Sequence, residues 1–312
     1  MKMSNKPELL VTPRDVAAIE PLVKAGATAI LIGEERYGLR LAGEFKIEEI
    51  KEATEIAQNL SAKVYVAMNG IFHNERVPEL GDYLKRLVEI NVDGVVFGDP
   101  AVLMTAKEEA PNMKLHWNTE TTATNWFTAN YWGSKGAKRA VLAREVNMDS
   151  IVETKENAKI EIEVQVHGMT CMFHSKRELV GNYFEYLGKN MKVEGKNQDR
   201  QMYLYDPERD AKYPIFEDGN GTHIMSPNDI CIIDELEDML EADVDSFKID
   251  GIFKSTEYME QVVSMYRQAI DLYFEDEDAY SDKKEEYLEK IRSIQPTNRD
   301  IDTGFFFKET VY

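Results

Sequence analysis

The stretch "KVYVAMNGIFHNERVPELGDYLKRLVEINVDGVVFGDP", Lys63 to Pro100, contains one complete β–α–β unit. KVYVAMN (Lys63–Asn69) and GVVFGD (Gly94–Asp99) are short runs rich in β-branched and aromatic residues. Between them LGDYLKRLVEI places Leu80, Tyr83, Leu84 and Leu87 on one helical stripe. Moving outward, the same alternation recurs. Further strand-like runs are LLVT (9–12), TAILIG (28–33), KLHWN (114–118), RAVLAR (139–144), IEIEVQV (160–166) and DSFKID (245–250). DVAAIEPLVKAGA and KIEEIKEATEIAQNL are amphipathic at i, i+3, i+4 spacing, and the first closes on Lys24-Ala25-Gly26. Eight strands in strict β/α alternation predict a parallel (β/α)8 TIM-like barrel rather than a doubly wound sheet.

Two additions stand outside this count. The segment from about 168 to 228 is too long for an ordinary βα loop. Within it "PIFEDGNGTHIMS" predicts a hairpin turning at Asp218-Gly219-Asn220-Gly221. The expected organisation is a barrel over 1–274 carrying that insertion, then an acidic helix and an aromatic tail over 275–312.

Composition narrows the function classes. A net charge of −20 argues against gripping nucleic acid through the general surface. Acid concentrates in Asp234–Asp245 and Phe274–Glu286, while Lys176 to Arg200 holds six basic residues against four acidic ones. No apolar run approaches a membrane span, and the start has no secretory pattern. Two distant cysteines make no disulfide framework, so the expected compartment is the cytoplasm.

In a parallel barrel, polar residues at strand C-termini face the site. Here every strand ends in such a group: Thr12, then Glu34-Glu35-Arg36, Asn69 with His73, and Asp99. Asn118-Thr119-Glu120-Thr121, Arg144-Glu145, His167, and Lys248 with Asp250 complete the set. Asp99 before Pro100, and Asp15 after Pro13, also have the pattern of helix caps. The candidate binding mouth is Glu34, Arg36, Arg40, Asn69, Asn118, Glu120, Arg144, His167, Lys248 and Asp250. Its arginines suit a small anionic ligand through bidentate geometry, although each can equally pair with a neighbouring carboxylate.

The cysteines admit three readings. Cys171 beside His167 or His174 gives a candidate nucleophile and base, without an identifiable orienting group. Cys171, His174, His223 and Cys231 give a candidate zinc set whose second half has no finger or ribbon spacing. Two buried thiols packed as small hydrophobes is the third.

The stretch HGMTCMFHSKRELVGNYF (167–184) resembles the signature region of peptidase family U32, the collagenase-like proteases. LIGEERYGLRLAGEF (31–45), NTETTATNWFTANYWGSKGAKRAVLARE (118–145) and HIMSPNDICIIDELEDMLEADVDSFKIDGIFKS (223–255) extend the resemblance in consistent order, from about Glu8 to Ile270. The resemblance implies a barrel fold and, for the branches understood mechanistically, oxygen-independent hydroxylation supported by a four-cysteine iron–sulfur cluster. Carried across, Cys171 takes the first cluster position and Cys231 the fourth, while Glu178 stands at the second and 188–201 holds no cysteine. Two thiolates cannot make a four-thiolate cage, so no cluster or other metal is expected in this chain. Asp250 and Gly251 keep the family pattern on the eighth strand, but Ile252 replaces an arginine.

The wording and missing cysteines most resemble the shorter of two paralogues that serve tRNA wobble-uridine 5-hydroxylation. That implies a cysteine-bearing partner in a heterodimer or functional pair, prephenate as a candidate hydroxyl source, and tRNA docking through the complex, with Lys176–Arg200 as a candidate surface. A peptidase, as the family name says, and a catalytically silent small-anion-binding barrel are the alternatives.

Overall fold

The computed structural model describes residues 6–189, 191, 193 and 202–309. Strands β1 (Glu8–Val11), β2 (Ala29–Ile32), β3 (Lys63–Met68), β4 (Gly94–Phe97), β5 (Leu115–Trp117), β6 (Arg139–Val141) and β7 (Glu161–Gly168) pair in sequence order, all parallel. An inserted antiparallel sheet follows, from β8 (Cys171–Ser175), β9 (Tyr203–Asp206), β10 (Ala211–Asp218) and β11 (Gly221–Met225). β12 (Asp229–Cys231) returns antiparallel to the end of β7, and β13 (Ser246–Ile249) closes the barrel by pairing with both β7 and β1. The parallel barrel anticipated from the alternation is the observed fold.

Helices α1 (Ile19–Lys24), α2 (Ile47–Asn59), α3 (Glu79–Ile90), α4 (Pro100–Glu109), α5 (Trp126–Lys135) and α6 (Met148–Asn157) ring the barrel between strands. α7 (Leu179–Tyr186) belongs to the insertion, α8 (Glu237–Glu241) follows β12, and α9 (Thr256–Glu275) with α10 (Glu277–Ile294) complete the wall. Period-2 alternation separates two cores. Leu9, Val11, Ile30, Ile32, Val64 and Val66 face the helices, where α3 buries Leu80, Tyr83, Leu84 and Leu87. Leu10, Ala29, Leu31, Tyr65, Ala67 and Val96 fill the interior. Among the described residues, no helix is long and apolar enough to cross a membrane.

The N-terminal end of the barrel is plugged by charge. Arg139, 2 % exposed, pairs with Glu8 at 2.6 Å, Glu161 at 2.7 Å and Glu163 at 3.1 Å.

The insertion covers the opposite end. The predicted hairpin is present: Asp218 pairs with Gly221 across Gly219-Asn220. Gly221 has φ +107°, and a Cβ there would lie 2.1 Å from the Ser175 carbonyl oxygen, so only glycine fits. The sheet's underside places Phe216 and Met225 against Met169, Cys171 and Ile252 at the barrel rim. Two latches hold it down. Asn220 Nδ2 donates to Glu35 O at 2.8 Å and Gly38 O at 3.2 Å, and Lys176 Nζ donates to Ile71 O at 2.8 Å.

The C-terminal tail is fastened by a buried clasp. Asp229 is fully buried and takes Lys254, Arg299 (2.7 Å) and Gln295 Nε2 (2.6 Å). Beyond it β14 (Ile301–Asp302) pairs with β12, and Phe306 of the aromatic run enters the main core.

Candidate functional site

The C-terminal mouth of the barrel is built by two residues in left-handed backbone. Arg40 (φ +52°) lies midway along the loop between β2 and α2, and Glu120 (φ +64°) follows β5. Asn118 Oδ1 accepts from Glu120 N at 3.0 Å and Asn69 Oδ1 from Leu39 N at 2.8 Å, so both turns are pinned by asparagine side chains. This use of both side-chain oxygens leaves the amide nitrogens as donors for the cavity. Arg40 grips Glu120 in bidentate fashion, Nε to Oε1 at 3.0 Å and Nη2 to Oε2 at 2.5 Å. Arg144 Nη2 reaches the same carboxylate at 3.4 Å, and Lys248 pairs with Asp250 at 2.8 Å.

Three cations thus share two carboxylates. Burial pushes the Glu120 carboxyl up, but Arg40 and then Arg144 outweigh it and hold it down at about 2. Burial disfavours the Lys248 ammonium, yet Asp250 keeps its pKa above the ordinary lysine value. The Glu120 carboxylate and the Lys248 ammonium stay charged at neutral pH, and by formal charge Arg40, Arg144, Lys248, Glu120 and Asp250 sum to one net positive charge in a chain of −20.

These groups line two hollows that share Arg40, Asn69, Asn118, Glu120 and Arg144. An inner one of about 50 Å³ lies on the barrel axis under Thr12, Gln165, Lys248 and Asp250. An outer vestibule of about 470 Å³ opens over Arg40, Asn69, Asn118, Glu120 and Arg144, with Met172, Phe173 and His174 of β8 as its lip. The inner space holds little more than a water molecule or two, so a metabolite-sized ligand belongs in the vestibule. A larger hollow of about 990 Å³ lies between α1, α9 and α10, but its Lys24 and Lys290 are each paired one turn away, to Glu20 and Glu286.

Of the ten mouth residues anticipated, Arg40, Asn69, Asn118, Glu120, Arg144, Lys248 and Asp250 converge on these hollows. Three do not. Arg36 is exposed and bonds Glu79 at 2.9 Å. Glu34 lies in the same loop outside the lining, its carboxyl raised by burial. His167 faces the helices, with Nε2 2.9 Å from the Tyr258 hydroxyl. A register shift explains this: Lys248 pairs with Gln165 but Ile249 pairs with His167, so β7 carries one extra residue and turns His167 outward. Gly168 follows with φ +102°, where a Cβ would stand 2.4 Å from Asp250 O. Of the other strand-end groups, Thr12 accepts from Gly251 N at 2.6 Å, Asp99 caps α4, and His73 and Glu145 are exposed. The alternation Glu163, Gln165 gives a sequence signal for Gln165 as an interior residue. Met169 and Met225, which also line the inner hollow, have no such signal.

No thiol–imidazole pair is assembled. Cys171 Sγ donates to Phe173 O at 3.2 Å, and burial raises its pKa. His167 is held neutral by burial, at about 3. His174 bonds Asn220 O at 3.0 Å and stacks on His223, whose Nε2 meets Asp218 at 3.0 Å. Among the described residues, no three His, Cys, Asp or Glu side chains come together as a metal set.

The positions aligned with cluster cysteines do not fit an iron–sulfur group. Cys171 lies in the rim cluster, whereas Cys231 lies in the main core beside the Tyr266 hydroxyl at 3.8 Å, its thiol pushed up to about 12 by burial. Glu178 is exposed and Ile252 fully buried. Of the basic stretch, Lys176 is spent on its latch, Arg177 and Lys189 are exposed, and Lys192, Lys196 and Arg200 fall outside the described residues.

Comparison with known proteins agrees with the barrel fold. The chain is 67 % identical over 308 residues to tRNA hydroxylation protein P2 of Bacillus subtilis (strain 168), covering 99 % of this chain and all of that protein. It is 36 % identical to tRNA hydroxylation protein P1 of the same organism, covering 97 % of this chain and 72 % of that one. The structure of the U32 peptidase Mk0906 shares the fold, with a TM-score of 0.51 at 14 % identity, over 80 % of this chain and 95 % of that one. The sequence profile of peptidase family U32 matches residues 14–311, and the chain belongs to that family.

Proposed function

We propose that this chain is a cluster-free subunit of a cytoplasmic tRNA hydroxylation system, acting on the wobble uridine together with a cysteine-bearing paralogue. The observation that carries the reading is its 67 % identity, along essentially the whole chain, to tRNA hydroxylation protein P2. A homologous P1 in the organism that holds P2 supports a paired system. In that pair this chain contributes the barrel mouth, and the partner contributes the iron–sulfur chemistry that Cys171, Glu178 and Cys231 are not placed to support.

The mouth's own task is to hold a small anion. Arg144 offers charge, and the amide nitrogens of Asn69 and Asn118 offer neutral donors, so the ligand is rich in acceptors and poor in donors. A dicarboxylate such as prephenate has this chemistry. Deleting the gene removes 5-hydroxyuridine from tRNA, the wild-type gene restores it, and Arg144→Ala does not. An unchanged nucleoside profile in the deletion strain overturns the reading. In the same series, millimolar prephenate raises the melting temperature of the purified wild-type chain, and absence of a shift removes prephenate as the ligand.

A further inference from the structure

The outer strand of the inserted sheet is built for a second strand. Among the described residues β9 pairs only with β10, and Tyr203, Leu204 and Tyr205 are 51 %, 54 % and 49 % exposed. Successive strand side chains point to opposite faces, so both faces of this ribbon present apolar groups to solvent. A two-stranded ribbon of this kind is marginal on its own, and its free edge is a template for pairing.

The register says which backbone groups are on offer. Ile215 N donates to Met202 O at 2.9 Å, and Pro214, which has no N–H, stands opposite Tyr203. In an antiparallel ladder the bonded pairs alternate, so Met202, Leu204 and Asp206 bond toward β10. The N–H and C=O groups of Tyr203 and Tyr205 therefore point away from it, toward the open edge.

We propose that this edge is a dimerisation strand and that its occupant is β9 of a second copy of the chain. Tyr203-Leu204-Tyr205 reads the same in both directions. Antiparallel pairing about Leu204 sets each Tyr203 against Tyr205 of the other copy, with both outward-facing residues exchanging hydrogen bonds. Leu204 meets Leu204 in the closer, non-bonded pair, and Asp206 meets Met202. Aromatic and aliphatic side chains face their own kind, and no like charges oppose one another, which is the self-complementarity an isologous contact requires.

The charge distribution favours a protein occupant over RNA. The arm from Met202 to Pro214 holds Arg209 and Lys212 against Asp206, Glu208 and Asp210, and the Lys212 amine is already placed 5.1 Å over the Tyr203 ring. It also explains why contact is made through an arm. Two bodies of charge −20 repel, and a narrow contact keeps most of that charge beyond the screening length of about 8 Å at physiological salt.

Sedimentation velocity of the purified full chain, across roughly 1–100 μM protein and about 20–300 mM salt, tests the proposal. The expected result is a monomer–dimer equilibrium that tightens with salt. Leu204→Lys sets two cations on the twofold axis, and Tyr205→Pro removes an outward N–H while keeping every backbone bond to β10. Each weakens the dimer at least about tenfold, and the exposed Leu204→Lys site leaves the melting temperature unchanged. A chain that stays monomeric throughout overturns the proposal, as does a dimer indifferent to both substitutions. So does a monomeric wild type whose complex with the cysteine-bearing paralogue is broken by the same two changes, because the strand's occupant is then the paralogue.

Discussion

Three cations reach the barrel mouth, from Arg40, Arg144 and Lys248, and Glu120 binds two of them. Its folded pKa, about 2, lies below the ordinary 4.5. The ion pairs therefore stabilise the fold fully above about pH 4.5, and that contribution is lost as pH falls toward 2. Glu120→Gln removes this term. Acid titration of the melting temperature should fall less steeply for the variant than for the wild type between pH 4.5 and 2. At neutral pH the variant should be less stable by about 3 kcal/mol, and parallel curves would show that Glu120 carries no such linkage. Glu120, Arg144, Lys248 and Asp250 are legible in the sequence because parallel strands deliver their C-terminal residues to one rim. Glu34 and Arg36 share that address on paper, but the loop after β2 carries them outward. His167 has the right parity until β7 gains its extra residue, and no residue type announces that bulge.

At the scale of the element, the insertion is a lid whose tip is fixed by one amide. Asn220, buried and donating to two carbonyls of the loop after β2, joins the hairpin to the segment that carries Arg40. Asn220→Ala leaves Glu35 O and Gly38 O without that donor, at a cost of about 1–3 kcal/mol. Amide exchange should quicken over residues 33–41 and 215–224, while β3 and β4 keep wild-type protection. Uniform loss of protection would mean that the lid and barrel open as one unit. The β10–β11 hairpin is readable because its turn chemistry is local, concentrated in Asp218-Gly219-Asn220-Gly221. β8, β9 and β12 are not, because three to five residues with no clean alternation acquire strand identity only from the neighbours they meet.

For the whole molecule, the clasp around Asp229 ties the tail to the rim. Burial pushes the Asp229 carboxyl up, but Lys254 and Arg299 outweigh that and hold it far below the carboxylate range. Asp229→Ala leaves two buried cations without a counter-charge and should cost about 3–5 kcal/mol. The midpoint of urea unfolding should fall accordingly, and limited proteolysis should release the chain beyond α10. A variant that unfolds at the wild-type midpoint would show the clasp to be energetically idle. The barrel itself follows from periodicity, but the clasp does not. Asp229, Lys254 and Arg299 are ordinary charges in the sequence, and only the three-dimensional path of the tail brings them together.

Barrel closure by β13 also has a consequence in time. Ser246 meets Glu8 across 238 residues, so the sheet remains a seven-stranded strip with two bare edges until β13 exists. Between β7 and β13 lie 77 residues, most of them the insertion, and at 5–20 residues per second their synthesis lasts roughly 4–15 s. During that interval β1 and β7 are open to pairing with other nascent chains. The length of the lid, whatever it does in the finished protein, therefore sets how long each new molecule is vulnerable to aggregation at the ribosome.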